Sequence, residues 1–195
     1  MGKNIITDPK EIAYALKHIL DSNLEATGNW FLEHRRDGKI LHSAWEPNHN
    51  TFTTEGLALM HNVLWGSAAK PSQIYCGLFK NNITPALADT ALAKLGSGGT
   101  YGECQDADYD SPATDRALFE IAATTTAVAT NAAAKCEFVM ANAAGITLYG
   151  GFLCTAAAKT ATTGTLICAK AFATARAVAD NDEISVGHTI TFTSS

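Results

Sequence analysis

The stretch EISVGHTITFT alternates without interruption. Ile184, Val186, His188, Ile190 and Phe192 fall on one face, and Ser185, Gly187, Thr189, Thr191 and Thr193 on the other. A period of two marks a β-strand with one side buried and one side wet. Upstream, QIYCGLF, KCEFVMA, GITLYGGFLCT and TLICAKAFATARAV also read as strands, separated by glycine or polar turns. TPALADTALAKLGSGG reads as a loop with a helical turn. After Pro112 there is no further proline, and Ala and Thr dominate. Alanine favours helices by propensity, but the β-branched and aromatic content and the spacing of turns favour strands. Within TLICAKAFATARAV, Ala169, Ala171, Ala173, Ala175 and Ala177 share one face, small enough to let another sheet or subunit approach closely.

Residues 1–70 have a different texture. In TDPKEIAYALKHILDSNL, Asp8 is an N-cap with Pro9 at the first helical position. Glu11 closes a capping box, and Ile12, Leu16, Ile19 and Leu20 make an apolar stripe. NWFLEHRRDGKILHSAW predicts a hairpin turning at Asp37-Gly38, with Trp30, Leu32 and His34 alternating before the turn and Ile40, His42 and Ala44 after it. TTEGLALMHNVLWG predicts a second helix, capped by Thr53 or Thr54 and ended by Gly66. The expected fold is mainly β: a β-sandwich or jelly-roll-like domain over 71–195, preceded over 1–70 by a helix, a hairpin and a second helix.

A chain of 195 residues, 47% hydrophobic and 17% charged, can bury a real core. Its net charge of -5 is uneven: nine Lys or Arg balance nine Asp or Glu through residue 98, and five face ten thereafter. Neither half offers the basic stripe that a phosphate backbone requires, so nucleic acid is not an expected partner. The uncharged run between Glu137 and Lys159 is long enough to raise a membrane span, but its Asn142, glycines and threonines suit paired strands, and no membrane partner is expected. Asp8, Pro9, Lys10 and Glu11 interrupt any secretory apolar run, and Ile6 breaks the myristoylation pattern. The five cysteines are widely spaced without a C-x-x-C pair; buried free thiols fit that spacing better than disulfides do.

YGECQDADYDSPATDR carries Asp106, Asp108 and Asp110 in a D-x-D-x-D rhythm between Glu103 and Asp115. A calcium loop needs a glycine after the third acid and a glutamate at its twelfth position; here Ser111 follows and Ala117 stands twelfth. A solvated loop tied down by Arg116 is the alternative to a bound cation. GSGGTYG has Tyr101 where a dinucleotide loop needs glycine, no GK[ST] occurs, and no G-x-S-x-G elbow singles out a serine. His18, His34, His42, His49 and His61 fall on different elements with no H-x-x-x-H pair, and His188 reads as a hydrogen-bonded core or interface residue. No catalytic residue, metal ligand or cofactor site emerges from these patterns.

An ordered set of short motifs runs from Tyr75-Cys76-Gly77-Leu78-Phe79 through Thr84-Pro85, Tyr101-Gly102-Glu103, Asp108-Tyr109-Asp110 and Arg116. It continues with LYGGFL around Gly150, Gly151 and Phe152, GTLICAKAF with Phe172, then Arg176, and NDEISV with Asp182. Over roughly Thr51 to Ser195 this order resembles a group of tailed-bacteriophage virion structural proteins. The resemblance implies a non-enzymatic virion component made in the bacterial cytoplasm, with no catalytic residues and no cofactor. It implies either a capsid decoration or cement protein bound to the major capsid protein, or a neck, collar, tail or baseplate component. Homo-oligomers are expected, with residues 1–70 as the anchoring segment. Trp30, Trp45 and Trp65 are then either interface anchors or internal core, and Glu103, Asp110 and Arg116 frame a structural loop. A host-glycan adhesin is the competing expectation, with Tyr101 and Tyr109 free to stack on sugars.

Overall fold

The computed structural model describes residues 24–121 and 125–194, which form two antiparallel sheets packed as a β-sandwich. In chain order the elements are β1 (Leu24–Arg36), β2 (Lys39–Trp45), β3 (Thr51–Phe52), α1 (Thr54–Leu64), β4 (Ile74–Phe79), α2 (Ala91–Lys94), β5 (Tyr109–Ser111), β6 (Ala117–Phe119), β7 (Val128–Thr130), β8 (Cys136–Met140), β9 (Ile146–Cys154), β10 (Leu166–Val178) and β11 (Glu183–Ser194). One sheet runs β2-β1-β11-β8-β5, with β7 also on β11; the other runs β3-β10-β9-β4-β6. The mainly-β sandwich is the fold the strand periodicity predicts. The uncharged run after Glu137 becomes β8, a turn at Gly145 and β9, and no described helix is long and apolar enough to cross a membrane.

The helix expected after Asp8 lies outside the described residues. The hairpin does not stand apart from the sandwich as a preceding segment. β1 pairs with β11 from Leu24↔Ser194 to Arg35↔Glu183, so a boundary near residue 70 would cut through a continuous sheet. The turn has the expected geometry: Asp37 and Gly38 take φ of 49° and 71°, the left-handed pair of a type I′ turn.

The second helix begins where Thr53 caps it, its hydroxyl accepting the Gly56 N–H at 3.1 Å. Gly56 lies on the Ile167 backbone of β10, where a Cβ would collide. The helix reaches Leu64 with Trp65 as its C-cap, one residue before the expected Gly66.

The main core draws on both sheets: Trp30, Leu32, Ile184 and Val186 face Leu78, Leu153 and Cys168. In β11, Ile184, Val186 and His188 are at 1% exposure or less, whereas Ile190 and Phe192 of the same face are half-buried and Ser185 and Gly187 of the opposite face are buried as well. A second cluster forms outside the β9–β4 sheet, where Leu95 and Tyr101 cover Phe79 and Phe152. Two glycines make this layering possible. A Cβ at Gly150 would meet the Phe79 ring, and one at Gly151 would lie 2.7 Å from Cζ3 of Trp30. The all-alanine face of β10 is broken: the register jumps from Ala171↔Gly150 to Arg176↔Leu148, so the intervening residues bulge out of the ladder. Ala169 is buried, whereas Ala173, Ala175 and Ala177 are exposed.

Candidate assembly surface

The acidic stretch is tied to the body of the fold by ion pairs. Arg116, 1% exposed, donates from Nε to Oε1 of Glu103 at 2.6 Å and from Nη2 to Oε2 at 2.8 Å. Its remaining donors reach the carbonyls of Ala156 and Ala161, both at 2.8 Å. Burial pushes the Glu103 carboxyl above its ordinary value, against the pull of Arg116 and of the Gly96 N–H, which donates at 2.7 Å. The tie expected of Arg116 is therefore present, and its acid partner is Glu103.

Asp110 does not share that frame, because it is exposed. The buried acid of the triplet is Asp108, which accepts from Lys80 Nζ at 2.6 Å, the Gln105 N–H at 2.8 Å and the Asn142 amide at 3.3 Å. Asp106 points outward to Lys159, whose buried Nζ also donates to the carbonyls of Tyr109 and Ala113 at 3.1 and 3.0 Å. Asp106 and Asp108 thus diverge onto separate cations, and Asp110 points away from both into solvent. Among the described residues, no three His, Cys, Asp or Glu side chains converge as a metal ion would require. Tyr101 and Tyr109 are fully buried, Tyr101 bonded to Asp89 at 2.8 Å, so neither offers a ring to a glycan.

The tryptophans divide. Trp30 is 1% exposed and belongs to the core, packed against His188 with ring centroids 5.1 Å apart. Trp45 and Trp65 are 52% and 66% exposed. The signal for Trp30 was its phase: it shares the inward face of β1 with Leu32 and His34, both buried.

Trp45 stands at the end of β2, which among the described residues is the edge strand of its sheet, with one side paired to β1 and no described strand on the other. Opposite residues of an antiparallel pair share a face. Phe31↔Trp45 and Glu33↔Ser43 therefore point outward, and the rings of Phe31 and Trp45 meet edge to face at 5.6 Å. Between His34↔His42 and Arg35↔Ile40 the register slips by one residue, with Leu41 as the extra residue. The hairpin pattern puts Ile40 in phase with His42 and Ala44; the slip instead turns it to the outer face with Trp45. Ile40, Leu41 and Trp45 are each more than half exposed, and a shallow depression of about 290 Å³ lies between Trp45, Asn29 and Thr189.

The edge is held in place from its far end. Asp182 accepts Arg36 Nε at 2.8 Å and Nη2 at 2.7 Å, meets His34 Nε2 at 2.8 Å, and caps the turn before β11 by accepting the Ala179 N–H at 2.7 Å. Burial raises the Asp182 carboxyl, but these donors outweigh it and leave it well below the usual carboxylate range. The hairpin is thus clamped to the β10–β11 turn, and its apolar outer edge is presented in a fixed position. An unpaired edge carrying exposed apolar side chains can take a further strand or an apolar face from another chain. No protein-family model matches the chain, and no curated protein or solved structure matches it either.

Proposed function

We propose that this chain is a non-enzymatic structural protein of a tailed-phage virion, decorating or cementing the capsid through contacts with the major capsid protein and with further copies of itself. The observation that carries the reading is β2: among the described residues, an edge strand with one side unpaired, whose Ile40, Leu41 and Trp45 lie exposed on a clamped hairpin. Soluble monomers commonly blunt such edges with charge or cover them. Here the apolar residues remain outside, as a lattice-building contact needs. The order of motifs from Tyr75 to Asp182 supports the virion assignment, and the hairpin part of residues 1–70 supplies the anchor.

Immunogold labelling of intact virions with antibody against this chain tests the reading. Dense labelling over the head shell is the expected result. Labelling confined to the neck or tail would move the chain to a collar, tail or baseplate position, and virions without label would overturn the assignment.

A further inference from the structure

The outer side of β2 has a definite phase in its backbone and in its side chains. The Glu46 N–H donates to the Trp30 carbonyl at 2.7 Å, in step with the Phe31↔Trp45 pairing. Backbone groups along an antiparallel strand alternate in direction. His42, Ala44 and Glu46 therefore direct theirs to β1, and Ser43 and Trp45 turn N–H and C=O to the side where no described strand lies. Ser43 and Trp45 also share the outer face with Glu33 and Phe31, and the one-residue slip returns Ile40 to that face. Ser43 is thus flanked by Trp45 in one direction and by the bulge of Leu41 and Ile40 in the other, all of them exposed.

We propose that β2 pairs antiparallel with β2 of a second copy of this chain about a twofold axis at Ser43, joining two sandwiches edge to edge. The phase comes first: an axis between two residues would set outward backbone groups against inward ones, so the axis must pass through a residue. Apolar matching then selects which one. An axis at His42 places Trp45 opposite Lys39, and one at Ala44 places it opposite Ser43. At Ser43 the Trp45 of each copy meets Leu41 of the other, with Ile40 beside it, and the contact is made twice. Charge agrees as well. The strand KILHSAW holds one formally charged residue, Lys39, at its turn end. Glu33, the acid beside Ser43 on the outer face, is held by Arg35 Nε at 2.7 Å and by the Ser43 hydroxyl at 3.1 Å. The bulge at Leu41 ends the regular ladder, and a twofold contact uses the same edge on both copies, so pairing stops at two. This deepens the proposed assembly role and rests on its self-contact, not on a place in a virion.

The test uses the full chain. The parent is expected to sediment as monomer and dimer in exchange, with the dimer growing as concentration rises. The native thiols are buried, so mild oxidation of Ser43→Cys addresses the new thiol and should give a covalent dimer on a non-reducing gel. Ser97→Cys, at an exposed loop position, is the matched control and should not. Ser43→Pro removes an N–H that β1 does not use, so it should keep the strand signal in circular dichroism and lose the dimer. If that variant does not fold, the cysteine comparison still decides. A parent that remains a monomer up to its solubility limit would overturn the proposal. So would a dimer in which Ser43→Cys cross-links no faster than Ser97→Cys, because its interface would lie elsewhere. A monomeric chain whose antibody still labels the head shell would sink the pairing and leave the virion reading standing; a dimer linked through Ser43 in a chain absent from virions would do the reverse.

Discussion

The Arg116 guanidinium and the Glu103 carboxylate form a buried two-point pair, 2.6 and 2.8 Å, that joins the start of the acidic stretch to its end, just before β6. Removing one partner leaves the other charge without compensation, whereas removing both does not. Arg116→Ala is expected to cost about 3–5 kcal/mol. The double variant Glu103→Gln with Arg116→Met should recover a large part of that loss. Urea denaturation at pH 7 of both variants beside the parent checks the difference.

His188 gives the fold a defined acid sensitivity. Its imidazole is packed against Trp30 and Phe119, and burial pushes it from 6.5 down to about 3. The unfolded chain takes up a proton near pH 6.5 and the folded chain does not until about pH 3. Its contribution is thus present in full above pH 6.5 and is lost as pH falls toward 3, at up to about 1.4 kcal/mol per pH unit. Melting temperatures between pH 7 and 4.5 should fall more steeply for the parent than for His188→Gln.

All five cysteines are free and buried. Burial pushes the Cys154 thiol up to about 11 and Cys168 to about 12, and raises Cys76 and Cys104 well above the ordinary range. Native protein should resist iodoacetamide at pH 8, because the thiolate is the nucleophile and neither access nor ionisation favours it. In urea all five should alkylate, read by intact mass.

Trp30 and Trp45 should respond in opposite ways. Trp30→Ala opens a core cavity and is expected to destabilise by about 3–5 kcal/mol. Trp45→Ser removes an exposed side chain and should leave stability within about 0.5 kcal/mol. On the proposed assembly role it should nevertheless weaken self-association, read by sedimentation velocity over a concentration series.

What the sequence discloses is what lies in one strand. The inward residues of β11 are legible because alternation is local, as are the Asp37-Gly38 turn and the Thr53 cap. Pairing is not local: nothing near Trp30 announces His188 as its neighbour, which is why the hairpin reads as a separate segment. Ile40 is misplaced because a one-residue slip inverts every face beyond it. Asp108 and Asp110 are equivalent within D-x-D-x-D; Lys80, brought in after β4, decides which one is buried. Trp45 offers no local sign of exposure, since only strand order makes β2 an edge.

The β1–β11 pairing also sets when this protein can be completed. Thr27 and Thr191 are bonded across 164 positions of sequence, so β1 leaves the ribosome long before its partner has been synthesised. Until β11 arrives, one strand order cannot form and Trp30 has no ring to pack against. At about 5–20 residues per second, that interval lasts on the order of ten seconds or more. Sheet closure is therefore a late event in the life of the nascent chain, slow by the standards of folds built from local contacts. During it, the hairpin edge that carries Ile40, Leu41 and Trp45 stands exposed before the sheet behind it has closed.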